Sequence, residues 1–286
     1  MFRTQATEFP NSVLIETFNK CHGGCQFCPY SKLRKDEEPH LMPMEVIKKL
    51  LDEVSQHNNV KRITLFNNNE PLLDKRIYDI VAYTKKTNPK VESTLSTNGR
   101  LYTKEVGKKL YDAGLSTLYI SLPTLDENDY QDLMKYDIKR VLKAIEETDK
   151  KIREEMIRIA VPKTYAFKEA EFVEYFNRLG IRVCSWNLEY RKSWDCFDFE
   201  KLSKGVEVQK FKPCDRPMDQ AVILSNGNMV ICCRDWEEKT VVGNVYNSSI
   251  QEVWQGDKMK EIQSKIASQD YCSICVCSDC SEGANY

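Results

Sequence analysis

Short apolar runs alternate with amphipathic stretches from residue 12 to about residue 190. The runs at 12–18, 60–66, 91–97, 115–122, 156–162 and 181–188 have the length and composition of strands. Between them, 43–57, 74–87, 103–112, 138–151 and 167–179 carry apolar residues at helical spacing, with Asp74 and Thr103 placed to cap two of them. Strand and helix in alternation predict a parallel sheet, because a right-handed helical crossover returns the chain to the same edge. Six such units predict an α/β fold, a partial (β/α)6 TIM-like barrel left open where the eight-stranded form closes.

The rhythm stops after Trp194. Residues 195–213 are mixed and charged, which places a large domain at 1–200 and a small cysteine-rich one at 201–286. In the small domain, 221–232 holds two β-rich runs about Asn226-Gly227, a strong signal for a tight hairpin. Residues 249–267 have helical spacing and lead into a last group of cysteines.

Forty-two basic and forty-three acidic residues leave a net charge of -1, so no global field draws nucleic acid or an anionic membrane. The first residues lack the apolar core of a signal peptide, and no run of about 18 apolar residues occurs. Both observations point to a cytoplasmic protein with neither nucleic acid nor membrane as partner. Twelve cysteines are then unexpected. A reducing compartment disfavours disulfides, which leaves metal binding or redox chemistry to account for them.

Cys21-x3-Cys25-x2-Cys28 follows the first strand directly, with Gly23 and Gly24 letting the loop wrap tightly. Three thiolates on a cluster of four irons leave one iron open to a chelating ligand. A zinc site would want a fourth ligand; His22 and His40 are near, but the spacing is not that of paired zinc ligands. The motif, with Phe27 just before the third cysteine, resembles the signature of the radical S-adenosylmethionine (radical SAM) superfamily. That resemblance implies a site-differentiated 4Fe-4S cluster on Cys21, Cys25 and Cys28 whose open iron binds S-adenosylmethionine. Further landmarks fall in family order at strand ends. Asn67-Asn-Asn69-Glu70-Pro71 is similar to the Gly-Gly-Glu-Pro loop that meets the methionine amino group, with asparagine, the non-glycine residue most tolerant of left-handed backbone, in place of glycine. Ser96-Thr97-Asn98-Gly99 is similar to the Thr-Asn-Gly segment. Ser121 and Arg158 are the implied contacts to ribose or carboxylate.

Near the C-terminus, Cys214, Cys232 and the pair Cys272-x2-Cys275 supply four thiolates, enough for one fully ligated 4Fe-4S cluster. With Gly227 five residues before Cys232, and the Val242-Gly-Asn-Val245 and Ile250-Gln-Glu-Val-Trp254 stretches, this region resembles the SPASM and shorter twitch extensions of the same superfamily. Length and cysteine spacing resemble those of its 2-deoxy-scyllo-inosamine dehydrogenase-like branch. One auxiliary cluster is expected. A second would draw on Cys184, Cys196, Cys233, Cys277 and Cys280, which show no pattern. If the segment is extended, Cys232 and Cys233 face opposite ways. Cys233 is then either a buried apolar residue or a hydrogen-atom donor, and Arg234-Asp235 offers a proton acceptor for oxidation of an alcohol.

The resemblance implies reductive cleavage of S-adenosylmethionine to a 5'-deoxyadenosyl radical that takes a hydrogen atom from substrate. It also implies an electron donor such as flavodoxin or ferredoxin. Oxidation of a sugar or aminocyclitol alcohol is the first expectation; epimerisation of a carbohydrate, or maturation or epimerisation of a ribosomally made peptide, is the alternative. No peptide-recognition pattern precedes residue 12, which favours a small substrate. Glu16, Trp186, Asn187, Glu189 and Arg191 are the expected substrate contacts at the barrel mouth.

Overall fold

The computed structural model describes residues 2–187, 198–206, 214–278 and 280. All six expected strands are present, as β1 Ser12–Ile15, β2 Arg62–Thr64, β3 Glu92–Thr97, β4 Thr117–Ser121, β5 Ile157–Lys163 and β6 Arg182–Asn187. They pair in chain order, every neighbour parallel. Val13, Ile15, Ile63, Leu95, Leu118, Ile120, Ile159 and Val161 from these strands are buried. They pack against a layer formed by α2 Met44–Val54, α3 Ile77–Thr87, α4 Lys104–Asp112, α6 Ile138–Glu147 and α8 Glu169–Arg178, following the one-turn helix α1 Tyr30–Leu33. In a parallel sheet all strand C-termini share one edge, so the loops after β1 to β4 gather there.

Two helices depart from expectation. The predicted 138–151 helix breaks at Thr148, whose backbone turns extended; Asp149 accepts from the amides of Lys151 and Ile152 and starts α7 Lys150–Met156 afresh. The buried Tyr102 hydroxyl holds the Thr148 side chain at 2.8 Å and fixes the break. A further helix, α5 Glu127–Met134, lies where no element was expected, capped by Asp126 and burying Tyr130, Leu133 and Met134 on one face.

The C-terminal part does not form a sheet of its own. β7 Gln220–Ile223 pairs in parallel with the free edge of β1, and the hairpin partner β8 Asn228–Val230 and then β9 Val241–Asn244 extend the same sheet to nine strands. Gly227 takes φ +82° in the hairpin turn, as the Asn-Gly pair predicted. The 249–267 helix is two: a capping box of Ser249 and Glu252 opens α10 Ile250–Trp254, and after Gln255-Gly256 comes α11 Asp257–Ala267. Glu53 of α2 accepts from the first two amides of α10 at 2.9 Å each, a carboxylate at a helix N-terminus, and so ties the small part to the barrel. The stretch in which the domain boundary was expected lies largely outside the described residues. No helix among the described residues is long and apolar enough to cross a membrane.

One ion pair joins these pieces. Glu16, at the end of β1, is fully buried and binds Arg34 through both oxygens, at 2.7 and 3.3 Å. It also accepts from the amides of Asn68 at 3.4 Å and Ser225 at 3.3 Å. The expectation that Glu16 meets substrate is therefore corrected, since its carboxylate is engaged by the frame and shut off from solvent. Glu16→Gln should destabilise the apo-protein by roughly 3 kcal/mol, the lower end for breaking a buried pair because Arg34 keeps Glu37. Denaturant unfolding measures this, and an unchanged midpoint would refute the clamp.

Candidate active site

The loop after β1 carries Cys21, Cys25 and Cys28, all part-buried. None of the eleven described cysteines is in a disulfide. A Cβ on Gly23 would stand 3.3 Å from the Cys21 thiol, 3.5 Å from the Cys25 thiol and 3.3 Å from the Asn98 amide nitrogen. The missing side chain thus keeps open the space that two of the thiols face. Burial raises the Cys21 pKa to about 11, with the Glu70 charge adding to it. Cys25 is likewise pushed well above the usual thiol range, first through burial and then through the nearness of Cys28 and Cys21. Crowded thiols, with Cys21 and Cys25 desolvated, resist ionising together unless a cation compensates, which is what cluster iron does; loading must release protons. The donor set fits a three-thiolate cluster. Among the described residues no three His, Cys, Asp or Glu side chains converge on a point suited to a single metal ion.

Helix α5, which sequence reasoning missed, holds this loop. The Gln26 amide donates to Leu133 O at 2.9 Å and its side chain to Asp132 at 2.8 Å, while Gly24 packs beside Lys135. Tyr130 donates to the Tyr136 hydroxyl, and Tyr136 donates to Asn98 O. The signal was present in the cap Asp126 and the i, i+3, i+4 spacing of Tyr130, Leu133 and Met134.

Glu70 is the centre of the neighbouring loops. Its amide donates to Lys20 O at 2.9 Å, just before the cysteine loop. Its carboxylate accepts from the Thr97 hydroxyl and the Asn98 amide, at 2.8 Å each, and from the Leu72 amide at 3.1 Å, where it caps a single turn begun by Pro71. Gly99 follows with φ +85°, and a Cβ there would press on Val141 at 3.0 Å. Asn98 Nδ2 lies 4.0 Å from the Cys21 sulfur. Phe27 packs against the core, and Ser121 closes β4 at the same edge. Asn67, Asn68 and Asn69 do not adopt left-handed backbone, contrary to the reason offered for their presence. What they contribute instead is three buried Nδ2 groups without a hydrogen-bond partner in the protein, a donor set suited to an acceptor-rich ligand.

Three expectations are corrected or left aside. Arg158 sits second in β5, at the opposite edge of the sheet, and its guanidinium caps the end of α7 through the carbonyls of Glu154, Glu155 and Ile157. Asp235 accepts from the Lys239 and Thr240 amides and the Thr240 hydroxyl, so it braces a turn and is not a free base. Glu189, Arg191 and Cys196 lie outside the described residues. Trp186 and Asn187 end β6, with Trp186 41% exposed.

In the small part, Cys214 precedes β7 and Cys232 follows β8. Because β7 and β8 are antiparallel, this brings both cysteines to one end of the hairpin. Since β7 runs parallel to β1, that end is opposite the Cys21 loop, with about 10 Å of strand between. The segment after β8 is not extended. It turns at 232–235, with the Asp235 amide on Cys232 O, and this brings the Cys232 and Cys233 thiols within hydrogen-bonding reach of each other. This contact, burial and the nearby Cys214 push Cys233 well above the usual thiol range. Arg234, also buried, donates from Nη1 to the Cys280 sulfur at 3.3 Å.

Residues 15–176 match the Radical SAM superfamily and 214–281 match an iron-sulfur cluster-binding domain. The chain is 21% identical over 266 residues to the S-adenosyl-L-methionine-dependent 2-deoxy-scyllo-inosamine dehydrogenase of Niallia circulans, covering 93% of this chain and 90% of that one. It is 30% identical over 138 residues to the GTP 3',8-cyclase of Helicobacter pylori, spanning 42% of that enzyme's length and 48% of its own. Two solved structures share the fold. BtrN in complex with AdoMet and 2-DOIA has TM-score 0.70 at 18% identity, over 99% of this chain and 95% of that one. Streptococcus suis SuiB bound to S-adenosylmethionine has TM-score 0.74 at 18% identity, over 90% of this chain and 68% of that one.

Burial raises the Glu70 carboxyl from the usual 4.5 to about 7, against three hydrogen bonds that lower it. The folded chain therefore keeps a proton that the unfolded chain releases, and stability is lost as pH rises from about 4.5 to about 7. In thermal melts, apo wild-type protein should lose up to about 3 kcal/mol relative to Glu70→Gln across that window. A pH-independent difference would show Glu70 already ionised at the acid end.

Proposed function

The chain belongs to the radical SAM superfamily and carries a C-terminal iron-sulfur domain, and on that premise we propose that it dehydrogenates an alcohol of a sugar or aminocyclitol, aided by one auxiliary 4Fe-4S cluster. When bound, the cofactors would supply the hard chemistry: a cluster held by Cys21, Cys25 and Cys28 would supply the reductive cleavage of S-adenosylmethionine needed to take the carbinol hydrogen atom, and an auxiliary cluster would supply the acceptor for the remaining electron, with the hydroxyl proton released to solvent. The chain's part is to hold and orient. Glu70, Thr97 and Asn98 fix the two loops beside the thiols, and the amide groups of Asn67, Asn68 and Asn69 offer donors to the cofactor's acceptor atoms. Ser121 stands at the same edge. Trp186 offers an exposed ring to the apolar face of a cyclic polyol.

The observation that carries the reading is coverage. Similarity to the aminocyclitol dehydrogenase covers 93% of this chain, through both the barrel and the cluster-binding part, whereas matches to GTP 3',8-cyclases cover 44% to 70% of it. The substrate is thereby proposed as a small polyol, and the electron as delivered by a flavodoxin or ferredoxin.

Anaerobic reconstitution with iron and sulfide should give about eight irons per chain. With S-adenosylmethionine, a reductant and a panel of aminocyclitols and amino sugars, the loaded protein should form 5'-deoxyadenosine and a ketone in step. Cys21→Ala should lose about four irons and all deoxyadenosine. Absence of cleavage by fully loaded protein would sink the enzyme reading. Cleavage coupled only to a peptide, or product carrying solvent deuterium without oxidation, would sink the polyol dehydrogenase.

A further inference from the structure

The last cysteines fall into two environments. Cys272 and Cys275 are exposed, while Cys277 packs against the core and Cys280 is buried. The cause lies in their neighbours. Ile274 and Val276 are 2% and 1% exposed, and Cys275, between two side chains that face inward, is turned out. Its thiol makes a long contact, 3.9 Å, to Lys239 O. Cys272 follows the buried Tyr271 in a single helical turn and points to solvent. Turning either thiol inward would expose the anchors that hold this segment.

The inner pair sits with the hairpin cysteines. Tyr271 donates to Cys214 O at 3.1 Å, which ties the segment that leads to Cys277 onto the hairpin cysteine. Arg234 bridges the other two: its amide donates to the Cys232 sulfur at 3.4 Å, and its Nη1 to the Cys280 sulfur at 3.3 Å. The Cys280 amide turns back onto Cys277 O at 3.3 Å, so 277–280 is itself a compact C-x2-C turn. A buried guanidinium between two sulfurs compensates the negative charge that four thiolates bring to a cluster.

We propose that Cys277 and Cys280, with Cys214 and Cys232, hold the auxiliary cluster, and that the Cys272-x2-Cys275 pair stays outside it. This replaces the ligand pair that spacing alone suggested and rests on the single-auxiliary-cluster reading above.

Alkylation of anaerobically reconstituted wild-type protein with N-ethylmaleimide, followed by peptide mapping, tests it without altering the fold. Cys272 and Cys275 should label about tenfold or more faster than Cys277 and Cys280, and the difference should shrink once the clusters are stripped. Protection of Cys272 and Cys275 would overturn the assignment. In a Cys21→Ala/Cys25→Ala/Cys28→Ala background about four irons should remain. There, Cys277→Ser or Cys280→Ser should remove them, while Cys272→Ser and Cys275→Ser should not. Retention of iron in that background with loss on Cys272→Ser or Cys275→Ser overturns the ligand assignment alone; no iron in the background overturns the auxiliary cluster itself.

Discussion

The buried pair of Glu16 and Arg34 is the junction on which the arrangement depends. One carboxylate, sealed at the end of the first strand, is satisfied by a guanidinium that follows the cysteine loop and by amides of the loop after β2 and of the β7–β8 hairpin. A charge so deeply buried is tolerated only with its partners in place. The position of the cysteine loop, the asparagine loop and the C-terminal hairpin is therefore one cooperative fact. That helps explain why the small part shares the barrel's sheet: β7 covers the open edge of β1 and leaves no exposed row of amides there.

Within that frame, local electrostatics favours occupancy. Thiols raised by burial and by one another, a carboxyl held near neutrality, and three amide groups with nothing to donate to are each unfavourable in the apo-protein. A cationic cluster and a ligand rich in acceptors would relieve them together. The cost is carried by the same hydrogen bonds that join Glu70 to Thr97 and Asn98, so the loops stay close to a binding geometry beforehand.

The hairpin separates two groups of cysteines by construction. Antiparallel pairing gathers Cys214 and Cys232 at the end of the sheet away from Cys21, and the Arg234 bridge draws Cys280 to the same place. A substrate at the barrel mouth would then lie near the first site, with the second reached through the protein.

By itself, the sequence determined the strand-helix alternation, the hairpin at Asn226-Gly227, the three-cysteine loop and the order of the strand-end motifs, because periodicity and turn chemistry are local properties of neighbouring residues. It did not determine which cysteines meet. Cys272-x2-Cys275 and Cys277-x2-Cys280 have the same spacing, and Ile274 and Val276 decide which way that segment faces, their burial being a matter of tertiary packing. Likewise Glu16 and Asp235 look like functional carboxylates until Arg34, 18 residues on from Glu16, and the turn at 239–240 take up their oxygens. Arg158 looks like a ligand until the strand direction puts it at the far edge. Local pattern sets which chemistry the chain carries; long-range burial and register decide which groups remain available to perform it.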